Sequence, residues 1–323
     1  MIDNFNSYLI ELTKATSCEE VEVIQSLWSG YGKISRYQLS YSYIKSVVVK
    51  QIQLQKPNSH PRGWLSDVGH QRKLKSYQVE NSWYESWNHL CTNMSKTPHY
   101  IGSYEEEGRL YLVLEDLIVK YPLVIKNVAL EEIKLCLKWL ANFHATFMMK
   151  EPDSLWKIGT YWHLDTRPDE WKQIDHETLK SKAKEIDAIL NNCDYQTIIH
   201  GDAKLANFCF SKDKKQVAAV DFQYVGGGCG MKDVAYFLGS CMTSNELFKS
   251  EKELLDYYFK ILREALKENP EINLDKLEIE WRSMYKFAVT DFVRFMLGWM
   301  PDHQKINEYS LNYVDDVLID LTR

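Results

Sequence analysis

The chain has 323 residues, of which 45% are hydrophobic and 26% are charged, and its formal net charge is −6 at pH 7. That length is enough for one large domain or two ordinary ones with a substantial core. The acidic balance argues against a dedicated nucleic-acid-binding protein, and the lack of any run of 18 apolar residues argues against a membrane span. We also expect no signal peptide, because the first residues lack a basic region and an apolar core.

The seven cysteines are scattered along the chain, and no two of them form a CxxC pair. A disulfide framework or a zinc knuckle would need closely paired spacings, so we expect reduced thiols without a functional role. Reduced thiols of this kind are typical of a cytosolic enzyme, and we therefore expect a cytoplasmic location.

The predicted elements change in character along the chain. The patterns predict a helix over 3–18, strands over 21–28, 35–42, 44–54 and 109–114, a polar loop over 55–75, and helices over 76–93, 129–149, 231–243, 245–268, 276–299 and 305–321. A strand-rich first third followed by a helix-rich remainder predicts a two-lobed α+β enzyme.

The most informative motif is the segment His200–Asn207, which is followed by Asp221-Phe222 at the end of a short apolar run. Mg²⁺ prefers oxygen ligands, and Asn207 and Asp221 offer an amide oxygen and a carboxylate. Asp202 is then free to accept the proton of an attacking hydroxyl. This spacing is typical of the catalytic loops of kinases.

The segments on either side of a polar turn at 211–215 read as two short strands, 207–210 and 216–220. We expect them to form a hairpin that holds Asn207 and Asp221 near each other at its open end. A metal-dependent hydrolase could instead use His200 and Asp202 as ligands, but it would need further histidines nearby, and the next one downstream is His303.

With these motifs the chain resembles the protein-kinase-like fold, and in particular the small-molecule kinases related to aminoglycoside phosphotransferases and choline kinases. Within that group it is most similar to the ecdysteroid-kinase-like family, to which the segments 159–168 and 291–295 also bear a likeness. The resemblance implies a small antiparallel β-sheet lobe over residues 1–116, which binds nucleotide. It also implies a larger, mainly helical lobe over 117–323 for catalysis and acceptor binding.

The resemblance implies a nucleotide-binding site in the first lobe. Lys50 follows three consecutive valines, as the strand-borne lysine of kinases does, and should reach the α- and β-phosphates of ATP. Its expected partner is Glu80, with Glu85 as the competing candidate. Gly30 and Gly32 would form the turn that covers the phosphates, unless they belong to an ordinary hairpin turn.

The resemblance also implies that main-chain atoms near Glu115 and Leu117 bind adenine, while the side chains of Glu115 and Asp116 are expected to be solvated. Lys204 is expected to meet the γ-phosphate, although a surface lysine is the alternative reading.

Other residues around the motif are expected to have structural roles. His200 should pack near Phe222, and Asp233 should brace the catalytic loop through backbone N–H groups. Gln223 stands where protein kinases have glycine, and nothing after it resembles their Ala-Pro-Glu segment, which favours a small-molecule acceptor over a protein.

Together these features predict a kinase that uses ATP and Mg²⁺ to phosphorylate a hydroxyl of a small molecule, with Asp202 as the base. We expect no nucleic-acid or membrane partner. A protein kinase and a non-catalytic nucleotide-binding module are the alternatives. The acceptor should lie between the catalytic loop and the aromatic C-terminal helices, and the sequence does not choose among amino sugars, amino alcohols and steroids.

Overall fold

The computed structural model describes residues 4–27, 30–55 and 67–322. The chain divides into two compact units, of which the first comprises Met1–His89 and Thr97–Lys120 and the second comprises Leu90–Lys96 and Tyr121–Arg323. The assignment of residues 1–116 to nucleotide binding and of 117–323 to catalysis and acceptor binding stays a prediction.

The first unit is built on a five-stranded antiparallel sheet. Its elements are α1 (Asn4–Thr13), β1 (Ser17–Ser26), β2 (Gly32–Ser40), β3 (Ser46–Gln53), α2 (Asp67–Ser82), β4 (Tyr100–Glu106) and β5 (Arg109–Glu115). The strands lie in the order β1-β2-β3-β5-β4. Helix α2 continues into a π-helical turn over Trp83–Trp87.

The two faces of this sheet are covered differently because side chains alternate along a strand. On one face, Val47, Val49 and Val113 pack against Phe5 and Leu9 of α1. On the other face, Ile52 and Leu110 pack against Tyr77 of α2. Since Lys50 has the same parity as Ile52, its side chain lies on the face that α2 covers.

The second unit is mainly helical. Its helices are α3 (Leu130–Thr146), α4 (Pro168–Lys172), α5 (Glu177–Asn191), α6 (Met231–Cys241), α7 (Ser244–Leu266), α8 (Leu274–Trp299) and α9 (Glu308–Asp320). Four three-residue strands accompany them, namely β6 (Thr197–Ile199), β7 (Phe208–Phe210), β8 (Val217–Ala219) and β9 (Gly226–Gly228). Strand β6 pairs with β9, and β7 pairs with β8, in both cases antiparallel.

The predicted fold class is confirmed, and so is the predicted hairpin, which is the β7–β8 pair. The polar loop expected over 55–75 is wrong for 67–75, which are helical, and its residues 56–66 lie outside the described part of the chain, as does Trp28 of the first predicted strand. Strand β4 and helices α4 and α5 were not predicted. Among the residues the structure describes, no helix has both the length and the hydropathy that a bilayer crossing needs.

Candidate active site

The catalytic loop is anchored to the first turn of α6 by Asp233. Its Oδ2 accepts a hydrogen bond from the His200 backbone N–H at 2.6 Å, and its Oδ1 accepts one from the Gly201 N–H at 2.9 Å. His144 Nε2 lies 3.2 Å from the same Oδ2, and both of these side chains are fully buried. A carboxylate near a helix N-terminus is also favoured by the helix dipole. The predicted bracing role of Asp233 is confirmed.

His200 is part of the scaffold, as predicted. Its Nδ1 accepts a hydrogen bond from the Asp202 N–H at 3.2 Å, so the ring proton is on Nε2, which donates to the Val220 carbonyl at 3.0 Å. Its ring centroid lies 4.5 Å from that of Phe222. The imidazole therefore ties the catalytic loop to the chain just before Asp221, and neither of its nitrogens is left to act as a catalyst.

Gly201 is the one position in this loop where a side chain would not fit. Its φ is +76°, and an added Cβ would lie 2.1 Å from the Tyr224 carbonyl oxygen and 2.8 Å from the Thr160 nitrogen. Only glycine adopts this conformation without a steric penalty, and only glycine allows the close approach of the neighbouring backbone.

The carboxylate of Asp202 is held by three side chains. Its Oδ2 accepts hydrogen bonds from Lys204 Nζ at 2.6 Å and from Asn207 Nδ2 at 3.2 Å. Its Oδ1 accepts one from the Tyr236 hydroxyl at 3.2 Å. An ionised carboxylate has about four lone-pair sites, so a further donor can still be accommodated. This group is therefore fixed in position and keeps the capacity to accept a hydrogen bond from an alcohol.

Lys204 is an ion-paired residue of this site and not an isolated surface lysine. Burial lowers its pKa, but the carboxylates of Asp202 and Asp221 outweigh that effect and raise the pKa above its usual value. The ammonium therefore remains charged at neutral pH, close to the carboxylates that the motif brings together.

Asn207 and Asp221 lie at the open end of the β7–β8 hairpin, as predicted. The Val220 N–H donates to the Asn207 carbonyl at 3.0 Å, which continues the strand pairing up to the residue before Asp221. Asn207 Nδ2 also donates to the Asp202 carbonyl at 2.8 Å, so the amide group points its nitrogen into the loop. Asp221 has a φ of +70°, and Gln223 Nε2 donates to its Oδ1 at 2.5 Å.

These two side chains fit a magnesium ion that is shared with a nucleotide. The amide nitrogen of Asn207 donates its hydrogen bonds to Asp202, so the amide oxygen is the atom left to bind a metal. Asp221 adds a carboxylate ligand. Over the described ranges, no group of three or more His, Cys, Asp or Glu side chains could hold a metal by itself. The donor set thus suits an ion that takes its other ligands from phosphates and water.

In the first unit, Lys50 pairs with Glu80 and not with Glu85. Lys50 Nζ lies 2.6 Å from Glu80 Oε2, and both side chains are at most 5% exposed. Lys50 also lies over the ring of Tyr77, with Nζ 5.7 Å from the centroid. Glu85 is exposed in the π-helical turn. The predicted ion pair is present, and its contact with nucleotide phosphates stays a prediction.

Gly30 lies just before β2 and Gly32 is its first residue, and both have positive φ values, +78° and +139°. A Cβ on Gly32 would lie 2.0 Å from the Gln51 carbonyl oxygen, whereas one on Gly30 would meet no atom within 4 Å. Gly32 is therefore needed for the close packing of β2 on β3, and Gly30 is needed only for its backbone conformation. Their predicted role over phosphates is not tested by these contacts.

The segment predicted to bind adenine begins at the end of β5. The Glu115 N–H donates to the His99 carbonyl at 2.9 Å, and Leu117 is buried at the start of a short 3₁₀ turn. The prediction that the Asp116 side chain is solvated is wrong: its Oδ2 accepts hydrogen bonds from Arg36 at 2.7 Å and Ser46 at 2.6 Å. Asp116 therefore fixes the backbone from which Glu115 and Leu117 would act.

Tyr236 escaped the sequence interpretation because it reaches Asp202 only through tertiary packing. Tyr236 on α6 contacts the carboxylate directly, and the ring of Tyr161 lies 5.6 Å from the Tyr236 ring. Burial, and then the charge of Asp202, raise the pKa values of both phenols, which stay protonated at neutral pH. No local pattern around Tyr236 indicates this role.

The fold is that of the protein-kinase-like small-molecule kinases. Ethanolamine kinase from Plasmodium vivax has this fold, with a TM-score of 0.53 and 13% identity over 96% of this chain and 84% of that one. An amicoumacin kinase, solved in complex with AMP-PNP, Ca²⁺ and Ami, gives a TM-score of 0.50 and 10% identity over 99% and 93% of the two chains. A thermostable mutant of aminoglycoside phosphotransferase APH(4)-Ia gives 0.49 and 11% identity over 98% of both.

More particularly, residues 161–270 match the model of the ecdysteroid kinase-like family. The matched segment includes the catalytic loop, the β7–β8 hairpin and α6, and it confirms the resemblance that the motifs indicated. No curated protein matches the chain.

Proposed function

We propose that the protein is an ATP-dependent kinase that phosphorylates a hydroxyl group of a small molecule. The observation that carries the proposal is the environment of Asp202. A carboxylate that is fixed by Lys204, Asn207 and Tyr236, on a loop anchored to buried Asp233, has the geometry of a general base. We place this reaction in the cytoplasm, which the scattered spacing of the cysteines in the sequence favours.

Asp202 accepts the proton of the acceptor hydroxyl as its oxygen attacks the γ-phosphorus of ATP in line with the bond to the leaving ADP oxygen. The Tyr236 and Asn207 hydrogen bonds hold the carboxylate so that this proton transfer needs no rearrangement of the loop. The Lys204 ammonium stands next to Asp202 and compensates for negative charge on the transferring phosphoryl group.

Asn207 and Asp221 hold Mg²⁺ in this proposal, through the amide oxygen and the carboxylate. Such an ion, when bound, neutralises the charge of the β- and γ-phosphates. Gln223 holds Asp221 Oδ1 at 2.5 Å and so limits rotation of the carboxylate. A glutamine at this position gives the metal ligand a fixed orientation, which suits an enzyme without an activation switch.

Lys50, oriented by Glu80, contacts the α- and β-phosphates, and backbone groups near Glu115 and Leu117 bind adenine. The short, buried ion pair supports this role, because a lysine held at one end in a fixed rotamer is preorganised for a phosphate. The amicoumacin kinase with the same fold was solved with AMP-PNP, an analogue of ATP, which supports a triphosphate nucleotide as the donor.

The test is transfer of labelled phosphate from γ-³²P-ATP to a panel of small alcohols in the presence of Mg²⁺, with generic protein acceptors in a parallel arm. We expect labelled alcohols and unlabelled proteins. Labelled proteins alone would favour a protein kinase. A thermal shift with Mg-ATP but no labelled product would favour a binding module.

Three variants assign the roles. Asp202→Asn should abolish transfer and leave Mg-ATP binding intact, whereas Asp221→Ala should lose the Mg²⁺-dependent part of nucleotide binding. Asp213→Asn, in the exposed turn of the same hairpin, is the control and should behave as wild type. Full turnover in Asp202→Asn would contradict the assignment of the base.

A further inference from the structure

The side of Asp202 that faces Tyr236 carries an aromatic cluster that the catalytic roles do not explain. It consists of Tyr161, Trp162, Tyr236, Phe292, Phe295 and Trp299. Tyr236 joins the cluster to the proposed base, since its hydroxyl donates to Asp202 and its ring lies 5.0 Å from that of Phe292. Tyr161 and Trp299 are only half-buried, whereas the other four rings are buried. The cluster therefore presents an apolar surface beside the carboxylate.

Within the part of the chain that the structure describes, one lysine lies on this cluster. Lys305 Nζ is 4.5 Å from the ring centroid of Tyr236 and 5.3 Å from that of Phe292. The residue precedes α9 in a turn, contrary to the predicted helix start at 305, and the turn is fixed by hydrogen bonds from the Lys305 N–H to His303 Nδ1 and from Ser310 Oγ to the Lys305 carbonyl. The ammonium is thus held on the ring whose hydroxyl touches Asp202.

Lys305 has no counterion of its own. Over residues 4–27, 30–55 and 67–322, no carboxylate lies within 4.0 Å of its Nζ, whereas Lys204 is paired with Asp202 and Arg167, which lies over Tyr161 and Phe295, is paired with Glu170. Burial, and then repulsion by Lys204, lower the pKa of Lys305 to about 8, although Asp202 and Cys241 act in the opposite direction. An anion bound next to this ammonium would stabilise its charged form, which burial and Lys204 disfavour.

The same contact makes the site unfavourable for cationic acceptors. A ligand ammonium is attracted by the face of an aromatic ring, but the faces of Tyr236 and Phe292 are already engaged by Lys305. A second positive charge there would be repelled by Lys305. The aromatic cluster therefore suits the apolar body of an acceptor, and the lysine suits a negative group on it.

We propose that Lys305 is a specificity-determining residue that binds an anionic group of the acceptor, so that the preferred substrate is an alcohol with an apolar ring body and a negative charge. This inference rests on the proposed kinase function, because it assumes that the acceptor lies beside Asp202. It goes beyond that function by stating which charge the acceptor carries and which residue binds the charged group.

The test uses three aromatic alcohols that share one body and differ in charge, namely 4-(hydroxymethyl)benzoate, benzyl alcohol and 4-(hydroxymethyl)benzyltrimethylammonium. Binding to the full chain is measured by ligand-observed NMR titration at pH 7, and phosphoryl transfer is measured separately with γ-³²P-ATP. Wild type should bind the benzoate about tenfold more tightly than the trimethylammonium compound. Lys305→Met, which keeps an apolar stem over Tyr236, should remove that preference, and Lys305→Arg should keep it.

Lys134→Met is the matched control. Lys134 also lies over a tyrosine ring, 5.9 Å from the centroid of Tyr257, but it is paired with Glu253 on α7. The Lys134→Met variant should bind the three probes in the same order of affinity as wild type. Equal binding of the three probes to wild type, or an equal change for all three in Lys305→Met, would overturn the inference. Failure of transfer to every alcohol would instead overturn the proposed function, because the binding order is read without turnover.

Discussion

Replacing Asp233 by asparagine is expected to destabilise the protein and to impair the catalytic loop at the same time. The substitution keeps the shape of the side chain, but it removes the negative charge and turns one acceptor oxygen into a donor. The His200 and Gly201 N–H groups and His144 Nε2 all point at this carboxylate, so at least one of them would then face another N–H.

The expected loss of stability in Asp233→Asn follows from the burial of this carboxylate. Hydrogen bonds to a charged group contribute about 1.5–3 kcal/mol each, and breaking a fully buried charged network typically costs about 3–5 kcal/mol. Because Asp233 and His144 are both 0% exposed, solvent cannot replace the lost partner. We therefore expect the free energy of unfolding to fall by about 3–5 kcal/mol in Asp233→Asn, together with a fall in kcat of at least about tenfold as the loop shifts.

The assay is urea unfolding followed by tryptophan fluorescence, with phosphoryl transfer measured well below the transition. Asp275→Asn serves as the control, because Asp275 is 80% exposed and pairs with Arg263 at the surface. That variant should stay within about 0.5 kcal/mol of wild type. An Asp233→Asn protein as stable and as active as Asp275→Asn would refute the view that this carboxylate positions the loop.

Three further outcomes are expected. Gly201→Ala should lose at least about 2 kcal/mol of unfolding free energy through its left-handed φ and steric overlap, whereas Gly239→Ala, in open space on α6, should gain about 0.5–1 kcal/mol by urea unfolding. Lys50→Met should lower the free energy of unfolding by about 3–5 kcal/mol, because it removes the positive charge that pairs with the buried Glu80 carboxylate. The same variant should bind Mg-ATP more weakly in calorimetry. With the pKa of Lys305 near 8, its ammonium is charged below pH 8, so the preference for an anionic acceptor should fade as the pH rises through 8 in NMR titrations.

The parts of the site that were predictable are those in which spacing along the chain fixes spacing in space. Asp202 and Asn207 lie on one short loop, and a hairpin returns the chain to Asp221, so local strand pairing alone brings these three residues together. Lys50 was also predictable, because a run of valines on a central strand marks a buried position from which a charged residue must find a partner.

Other elements left no clear local signal. Strand β4 lies at the edge of the sheet, and its sequence, which ends in Glu105 and Glu106, lacks the apolar run of a central strand. The first half of α2 is polar on all sides, and its helical form over 67–75 depends on packing against the sheet, for example through the contact of Tyr31 with His70. Amphipathic periodicity cannot detect a helix of this kind.

The acceptor side of the site was the least predictable part, for a physical reason. The phosphate-handling residues must match a donor whose chemistry is the same in every kinase, so they recur as a short motif. Tyr161, Tyr236 and Lys305 come from a loop, a helix and a turn that are far apart in the chain, and only tertiary packing brings their rings and charges together near Asp202. If the acceptor lies beside Asp202 as we propose, the Lys305 ammonium on the Tyr236 ring attracts an anionic acceptor and repels a cationic one, and this tertiary contact selects the acceptor independently of the catalytic motif.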